Sequence, residues 1–185
     1  MYQEVIRNYV PKTDQEAMDK KAMLDFIENN DDALHRSNLT AHLTASAVVT
    51  NEDETKVLFA YHNIYDSWSW VGGHNDGNPD LLEVAIKEAK EETGVKNIRA
   101  KSDDLVAIDV VHVTNHYKHG AFVPDHLHLN VTYHLIADEN DPLRVKEDEN
   151  SAVRWFDIDE VLDYVDEPRM IPVYKKIFRN IRYFE

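Results

Sequence analysis

The order of its secondary-structure signals constrains this chain more than any other feature. Runs rich in β-branched and small residues lie at 43–49, 56–61, 68–71, 105–113, 126–136 and 153–156. A helix is predicted over 13–28, where Thr13 and Glu16 have capping-box spacing, and two more are predicted over 159–165 and 169–181. One long helical segment divides the strand-forming runs. This order predicts an α+β fold with a mixed sheet rather than regular βαβ alternation.

The charge of the chain limits its partners. It has 35 acidic and 20 basic residues among 185, giving a formal net charge of −15. Such a chain repels nucleic-acid backbones and anionic membranes, so we expect neither as a partner. A phosphate substrate would also be repelled unless a divalent cation with oxygen ligands reversed the local field. Alternatively, the acidic residues only keep the protein soluble.

Other features of composition narrow the class of protein. The chain contains no cysteine, which excludes disulfides, zinc thiolates and thiol nucleophiles. No run is apolar for long enough to span a bilayer, and the first residues lack the apolar region of a signal peptide. We therefore expect a cytoplasmic protein.

The segment from Trp68 to Val95 is the most informative part of the chain. Asn78 is a good N-cap, Pro79 suits the first helical position, and Gly94 stands where a left-handed C-cap belongs. Apolar and small residues that would face the sheet recur at 82, 85, 86, 89 and 93. The segment therefore predicts an amphipathic helix that follows a Gly-Gly turn.

Three carboxylates share one side of this predicted helix. Glu88, Glu91 and Glu92 are spaced i, i+3 and i+4, so their charges repel unless a cation lies among them. Gly72 and Gly73 just before the helix let backbone approach a ligand closely. Together these residues predict a cradle for a hard cation and a diphosphate.

At this point the sequence resembles the Nudix hydrolase family. Gly73, Glu88, Glu91, Glu92 and Gly94 stand at the spacing of that family's signature. The resemblance implies an α/β/α sandwich with a mixed sheet, and hydrolysis of a nucleoside diphosphate linked to another moiety. It also implies a pocket built from loops and, in a homodimer, from a second subunit.

Two flanking segments extend the resemblance to about residues 40–165. Residues 68–73 are similar to the family's lead-in to the glycines, and residues 149–160 are similar to its later strand-to-helix segment. Residues 1–39 are not covered. We therefore expect a single domain over 1–185, with 1–39 as an N-terminal helical extension.

The resemblance also implies the cofactor and its ligands, Mg²⁺ or Mn²⁺. Glu91 and Glu92 would be ligands, Glu88 a ligand or base, and the Gly73 carbonyl a backbone ligand. For the general base we select Glu149 over Glu88, because a loop carboxylate can approach water from the side opposite the helix. Glu147 and Asp148 are neighbouring alternatives.

The chain departs from the signature at three positions. Lys87 stands in place of the arginine, so a bidentate contact becomes a point charge. Pro79 stands in place of the first glutamate, for which Asp76 or Asp80 could substitute, and Val71 stands in place of a proline. These departures leave a catalytically inactive nucleotide-binding domain as the alternative function.

Other side chains are candidates for substrate binding. His126 and His128 share a strand face with His134, which predicts either a substrate or second-metal wall or a merely polar sheet face, the reading we favour. Trp68 can stack on a base or fill the core, and we favour the core. The remaining candidates are His74 after the glycine turn, Lys87, and the phosphate clamps Arg36, Lys118, Arg144 and Arg154.

Two rival enzymes are disfavoured. An isopentenyl-diphosphate isomerase shares the fold implied by the resemblance but uses a catalytic cysteine, which this chain lacks. An RNA-decapping enzyme needs a basic stripe, which does not fit a net charge of −15. The sequence therefore predicts a metal-dependent hydrolase of a small nucleotide or other diphosphate.

Overall fold

A computed structural model describes residues 2–118 and 120–183. The helices are α1 (Tyr2–Asn8), α2 (Asp14–Asn29), α3 (Leu81–Thr93) and α4 (Ile171–Tyr183), with a 3₁₀ turn at Val161–Tyr164. The strands are β1 (Ala41–Thr50), β2 (Lys56–His62), β3 (Ser67–Ser69), β4 (Val71–His74), β5 (Ile98–Val113), β6 (His116–Lys118), β7 (Ala121–Val123), β8 (His126–Ala137) and β9 (Asn150–Asp157). None of the described helices combines the length and hydropathy needed to cross a bilayer.

Seven of the described strands form one mixed sheet. Its central order is β3-β2-β1-β8-β5, with β4 paired to β1 and β9 paired to β2. β1 and β8 are parallel over their whole length, whereas β4 is antiparallel to β1. The mixed sheet expected from the sequence is therefore confirmed. β6 and β7 form a separate hairpin, which the sequence did not predict.

Alternation along the strands builds two apolar layers, one on each face of the sheet. Leu58 of β2 packs with α1, α2 and α3, whereas its neighbour Phe59 packs with α4 and the 3₁₀ turn. Successive strand residues point to opposite faces, so one strand supplies both layers. Helices on both faces make the α/β/α sandwich that the resemblance implied.

Several predicted boundaries are wrong, each for a local reason. The single strand expected at 68–71 is two strands, because the chain leaves β2 and joins β1 around Trp70. β5 begins at Ile98 rather than at 105. Its first part is polar and largely exposed, so it lacks the apolar pattern on which the prediction depended. The helix expected at 159–165 is only the short 3₁₀ turn, and α1 was not predicted.

Candidate functional site

Helix α3 places the acidic residues of the site, and its two caps fix its ends. Asp80, not Asn78, is the N-cap: its side chain accepts a hydrogen bond of 2.9 Å from the Glu83 N–H. Asn78 lies outside the helix, where its side-chain oxygen accepts from the Asp80 N–H. Gly94 ends the helix at φ 77°, as predicted, and its N–H donates to the Lys90 carbonyl.

The buried face of α3 carries two carboxylates. Glu88 and Glu92 lie in a stripe with Leu81, Val84 and Ala85, whereas Leu82 and Ile86 of the predicted sheet-facing set are only partly buried. Glu91 lies at the edge of this stripe, with a side chain 44% exposed. The three carboxylates are therefore not equivalent, because two are buried and one is open to solvent.

Glu92 is held by donors from two strands. Its carboxylate accepts from the Gly72 N–H at 2.8 Å and from the Asn150 side-chain amide at 2.9 Å. Burial raises the pKa of Glu92 to about 7, although these two hydrogen bonds act in the opposite direction. The nearby charges of Glu88 and Glu149 raise it further. Glu92 is thus a costly buried acid that a cation would stabilise in its ionised form.

Gly73 makes room for Glu88. A Cβ atom at residue 73 would lie 2.5 Å from Glu88 Cδ, so any larger residue would displace this carboxylate. Gly72 and Gly73 lie in strand β4 rather than in the turn predicted from the sequence, and Gly73 pairs with Ala45 of β1. The predicted close approach of backbone to the acidic helix is therefore present in the structure.

The ammonium groups of two lysines lie among the carboxylates. Lys87 Nζ lies 3.2 Å from Glu88 and 3.5 Å from Glu91. Lys146 Nζ lies 3.7 Å from Glu91 and 2.9 Å from Glu149. The carboxylates and lysines thus alternate along one wall of the site.

Glu149 is the carboxylate that two lysines hold in its ionised form. Burial alone would raise its pKa, but hydrogen bonds and charge from Lys146 and Lys118 lower the pKa to about 2. Lys118 reaches it from strand β6, at 3.1 Å. A carboxylate held so firmly in its ionised form is a weak base until its lysine partners move.

Four histidines lie close together beside Gly72 and Gly73. They are His42 of β1, His74 of β4, and His126 and His128 of β8, with ring centroids about 5 Å apart in each contacting pair. Burial lowers the pKa of His74 to about 2, assisted by the charge of Arg36, and burial also lowers the pKa of His128 well below its usual value. His74 and His128 are therefore neutral imidazoles. His134 does not join them, because it pairs with Thr50 at 2.8 Å.

A cavity of about 460 Å³ connects the carboxylates and the histidines. The predicted site residues that line it are Arg36, Gly73, His74, Lys87, Glu88, Glu91, Glu92, Lys118, His126, His128 and Glu149. Asp76 also lines it, but its carboxylate is bound by Arg36, with Nε to Oδ1 at 2.7 Å. Arg36, a candidate for phosphate binding, is therefore held in place by Asp76.

Three candidate side chains lie elsewhere. Trp68 packs edge-on against Tyr61 and Phe156 in the core, the alternative favoured from the sequence, and it does not line the cavity as a substrate-binding residue would. Trp70 lines the cavity instead. Arg154 lies over the rings of Phe156 and Tyr164, and Arg144 packs against Gly94.

Sequence reasoning missed His42, Asn150 and Lys146. His42 directly precedes the strand predicted over 43–49, and its position beside His128 follows only from the parallel register of β1 and β8. Asn150 directly follows Glu149, but its contact with Glu92 joins residues 58 apart in sequence. Alternation of His42, Thr44 and Ser46 along β1 was the one available signal of a polar face.

The donor set fits a hard divalent cation. Glu88, Glu91 and Glu92 offer carboxylate oxygens, and Gly73 offers a carbonyl on strand β4, where only glycine leaves room for Glu88. The raised pKa of buried Glu92 is consistent with a site that lacks a permanent positive partner. The arrangement can hold a cation among the carboxylates, and Lys87 and Arg36 in the same cavity can bind an anionic substrate.

Comparisons with known proteins give a family match and a shared fold. A family model described as the NUDIX domain matches residues 40–180. The chain is similar to a NUDIX-family hydrolase from Clostridium perfringens, with a TM-score of 0.53 and 18% identity over 74% of this chain and 95% of that one. A comparison with curated proteins gives no match.

Two further solved structures have the same fold. One is a C. elegans Ap4A hydrolase in a binary complex, with a TM-score of 0.52 and 16% identity over 72% of this chain and 93% of that one. The other is the E. coli dihydroneopterin triphosphate pyrophosphohydrolase, with a TM-score of 0.52 and 14% identity over 75% of this chain and 95% of that one. At these identities the likeness establishes the fold alone.

Proposed function

Because this chain belongs to the NUDIX domain family, we propose that it is a metal-dependent hydrolase of a phosphoanhydride bond in a nucleoside diphosphate linked to another moiety. The family expected from the spacing between Gly73 and Val95 is thereby confirmed. The observation that carries the proposal is the pair of buried carboxylates, Glu88 and Glu92, held against Gly72 and Gly73 of strand β4 in the cavity.

Mg²⁺ or Mn²⁺ would be held by Glu88, Glu91 and Glu92 with the Gly73 carbonyl. When bound, such an ion supplies positive charge that neutralises a diphosphate and acidifies a coordinated water. Asn150 and the Gly72 N–H orient Glu92 through the two hydrogen bonds described above. This support from outside the ligand set keeps the buried carboxylate in one orientation.

The chain's cationic side chains suit the substrate. Lys87, which replaces the signature arginine, lies within 3.5 Å of two carboxylates at the cavity wall and would turn toward a phosphate as a point charge. Arg36 also lines the cavity, and its planar guanidinium, which is bound to Asp76 in the structure, would exchange that carboxylate for two phosphate oxygens. Binding energy from these groups would hold the phosphoanhydride for attack by water, with one P–O bond forming as the other breaks.

A substrate panel combined with one variant pair tests the proposal. Nucleoside diphosphate sugars, dinucleoside polyphosphates, NADH, ADP-ribose and damaged nucleotides are assayed for phosphate products with and without Mg²⁺. Glu92→Gln should lower kcat/KM more than about 100-fold, since even partners outside a metal's ligand set contribute 10- to 100-fold. Its melting temperature without metal should be equal or higher, because a buried charge is removed.

Glu83→Gln is the matched control, because Glu83 lies on the same helix but outside the cavity. It should keep wild-type activity. Turnover in the presence of EDTA, or full activity in Glu92→Gln, would contradict the metal assignment. Tight nucleotide binding without turnover of any substrate would favour the inactive nucleotide-binding domain.

A further inference from the structure

The four histidines in the cavity have no part in the proposed hydrolysis, and strand register brings them together. His42 pairs directly with His128 across the parallel β1–β8 ladder. His74 pairs with Thr44, two residues after His42 on the same face of β1. Three neighbouring strands therefore aim imidazoles at one point, and backbone hydrogen bonds fix the strands that carry them.

The ring nitrogens of three histidines converge. One nitrogen from each of His42, His74 and His128 lies within 4.8 Å of the other two. Two ligands of a tetrahedral zinc ion stand about 3.3 Å apart, as follows from Zn–N bonds of about 2.0–2.1 Å. Small rotations of the side chains would therefore bring the three nitrogens to ligand spacing.

Hydrogen bonds orient His42 as metal ligands are oriented. Its Nδ1 lies 3.0 Å from the Asn38 carbonyl, which can only accept, so Nδ1 carries the proton. Its Nε2 therefore presents a lone pair, and this buried atom has no hydrogen-bond partner among the described residues. A buried acceptor without a partner is costly, and a metal ion would satisfy it.

His126 is oriented in the same way beside the triad. Its Nδ1 lies 2.8 Å from the Pro124 carbonyl, and its Nε2 lies 3.2 Å from Nε2 of His128. The Pro124 carbonyl likewise assigns the proton to Nδ1. In the contact between the two Nε2 atoms one nitrogen donates to the other, so His126 holds the His128 ring beside the other two imidazoles.

We propose that His42, His74 and His128 bind one divalent transition-metal ion such as Zn²⁺, in a site separate from the carboxylate site of α3. Imidazole nitrogens suit zinc, copper, iron and nickel ions, whereas carboxylate and carbonyl oxygens suit magnesium and manganese. The two donor sets lie on opposite faces of strand β4. A Cβ atom at residue 73 would contact Glu88, whereas the next residue, His74, contacts the other imidazoles. The cavity would thus hold two ions of different chemical class.

The test is a metal titration of the whole chain. Protein stripped with a chelator is saturated with Mg²⁺, which occupies oxygen sites, and then titrated with Co²⁺ and Zn²⁺. We expect one Co²⁺ per chain at micromolar affinity or tighter, a d–d absorption spectrum typical of nitrogen ligands, and displacement by Zn²⁺. Absence of stoichiometric binding in the wild-type protein would overturn the proposal, whatever the variants do.

Variants identify the ligands. His42→Asn and His128→Asn should each weaken Co²⁺ binding by about tenfold or more, the size of effect seen for groups in or around a metal site. His134→Asn is the matched control, because His134 is a buried histidine on the same strand that already pairs with Thr50. Equal losses in His134→Asn and His128→Asn would refute the assignment.

Failure of this site can be told apart from failure of the hydrolase proposal. Glu91→Gln should leave Co²⁺ binding unchanged while lowering Mg²⁺-dependent turnover. Co²⁺ binding that disappears in Glu91→Gln but persists in His128→Asn would place the ion at the carboxylates and overturn the histidine site alone.

Discussion

Two carboxylates in the cavity compete for the role of general base, and their surroundings differ. Glu149 is ionised and bound by two lysines, at 2.9 and 3.1 Å. Glu88 lies against Gly73 and has one lysine at 3.2 Å. A base is most effective when its pKa is near the working pH, so the pKa of about 2 weakens the case for Glu149 as it stands. A substrate phosphate that drew Lys118 or Lys146 away would raise that pKa.

The choice between them is testable. If Glu149 takes the proton of the attacking water, Glu149→Gln lowers kcat by about 10² or more, the usual size of a general-base contribution, while Mn²⁺ affinity stays nearly unchanged. Glu88→Gln, as a ligand variant, should lose Mn²⁺ affinity as well. Both are measured by Mn²⁺ titration and steady-state kinetics. A near-wild-type Glu149→Gln with an inactive, metal-binding Glu88→Gln would move the base to the helix.

At the scale of elements, the acidic helix depends on its first turn. Asp80→Ala should lower the free energy of unfolding by about 1 kcal/mol, because it removes the acceptor for the Glu83 N–H. Asp80→Asn keeps an acceptor at the same place and should stay within a few tenths of the wild-type value. Urea denaturation measures both. A loss in Asn78→Ala that exceeded the loss in Asp80→Ala would restore the cap expected from the sequence.

Local sequence signals predicted those elements whose causes are local. The C-terminal end of α3 and the caps at Thr13 and Gly94 follow from neighbouring residues, and the structure has them. The break between β3 and β4 could not be predicted in this way, because it reflects a change of partner strand. The early start of β5 was missed because its exposed residues 99–104 carry no apolar pattern.

The residues of the site likewise fall into those that local sequence spacing predicts and those that only the sheet brings together. The three glutamates of α3 were found because one helix carries them at fixed spacing. The histidine cluster draws on β1, β4 and β8, so only the sheet register brings it together. Trp68 and Trp70 alternate along one predicted strand, so the sequence did not distinguish them. Trp68 lies in β3 and Trp70 lies at the break between β3 and β4, where it lines the cavity.

At the scale of the whole molecule, a buried ionic cluster joins three distant parts of the chain. Lys176 of α4 lies 2.6 Å from Asp109 of β5 and 3.2 Å from Glu16 of α2. Glu16 also accepts from the Tyr9 hydroxyl and the Lys12 N–H, both at 2.8 Å. The first 39 residues, which the family resemblance did not cover, are thus tied to the sheet and to the last helix.

Lys176→Met should destabilise the protein by about 3–5 kcal/mol at pH 8, because two buried carboxylates lose their cation. Burial already raises the pKa of Asp109 to about 6 against the opposing effect of Lys176, and removing the ammonium raises it further. A folded-state pKa above the unfolded value of 3.8 adds stability that is full at low pH and is lost as pH rises. The deficit of the variant should therefore shrink toward pH 4.

Denaturant unfolding from pH 4 to pH 8 measures this dependence. Lys175→Met is the control, since its side chain is exposed on the same helix. A deficit that does not change with pH, or one that Lys175→Met reproduces, would show that Lys176 contributes packing rather than charge.

The ionic cluster also has a consequence for biosynthesis. Gln15, next to Glu16, hydrogen-bonds to Lys176 across 161 residues of sequence. At elongation rates of about 5–20 residues per second, the counter-ion for Glu16 is made about 10–30 seconds after the glutamate itself. A nascent chain that has made only α1 and α2 cannot bury Glu16 at low cost. Although α1 and α2 are made long before α4, they should therefore be among the last elements to reach their final positions.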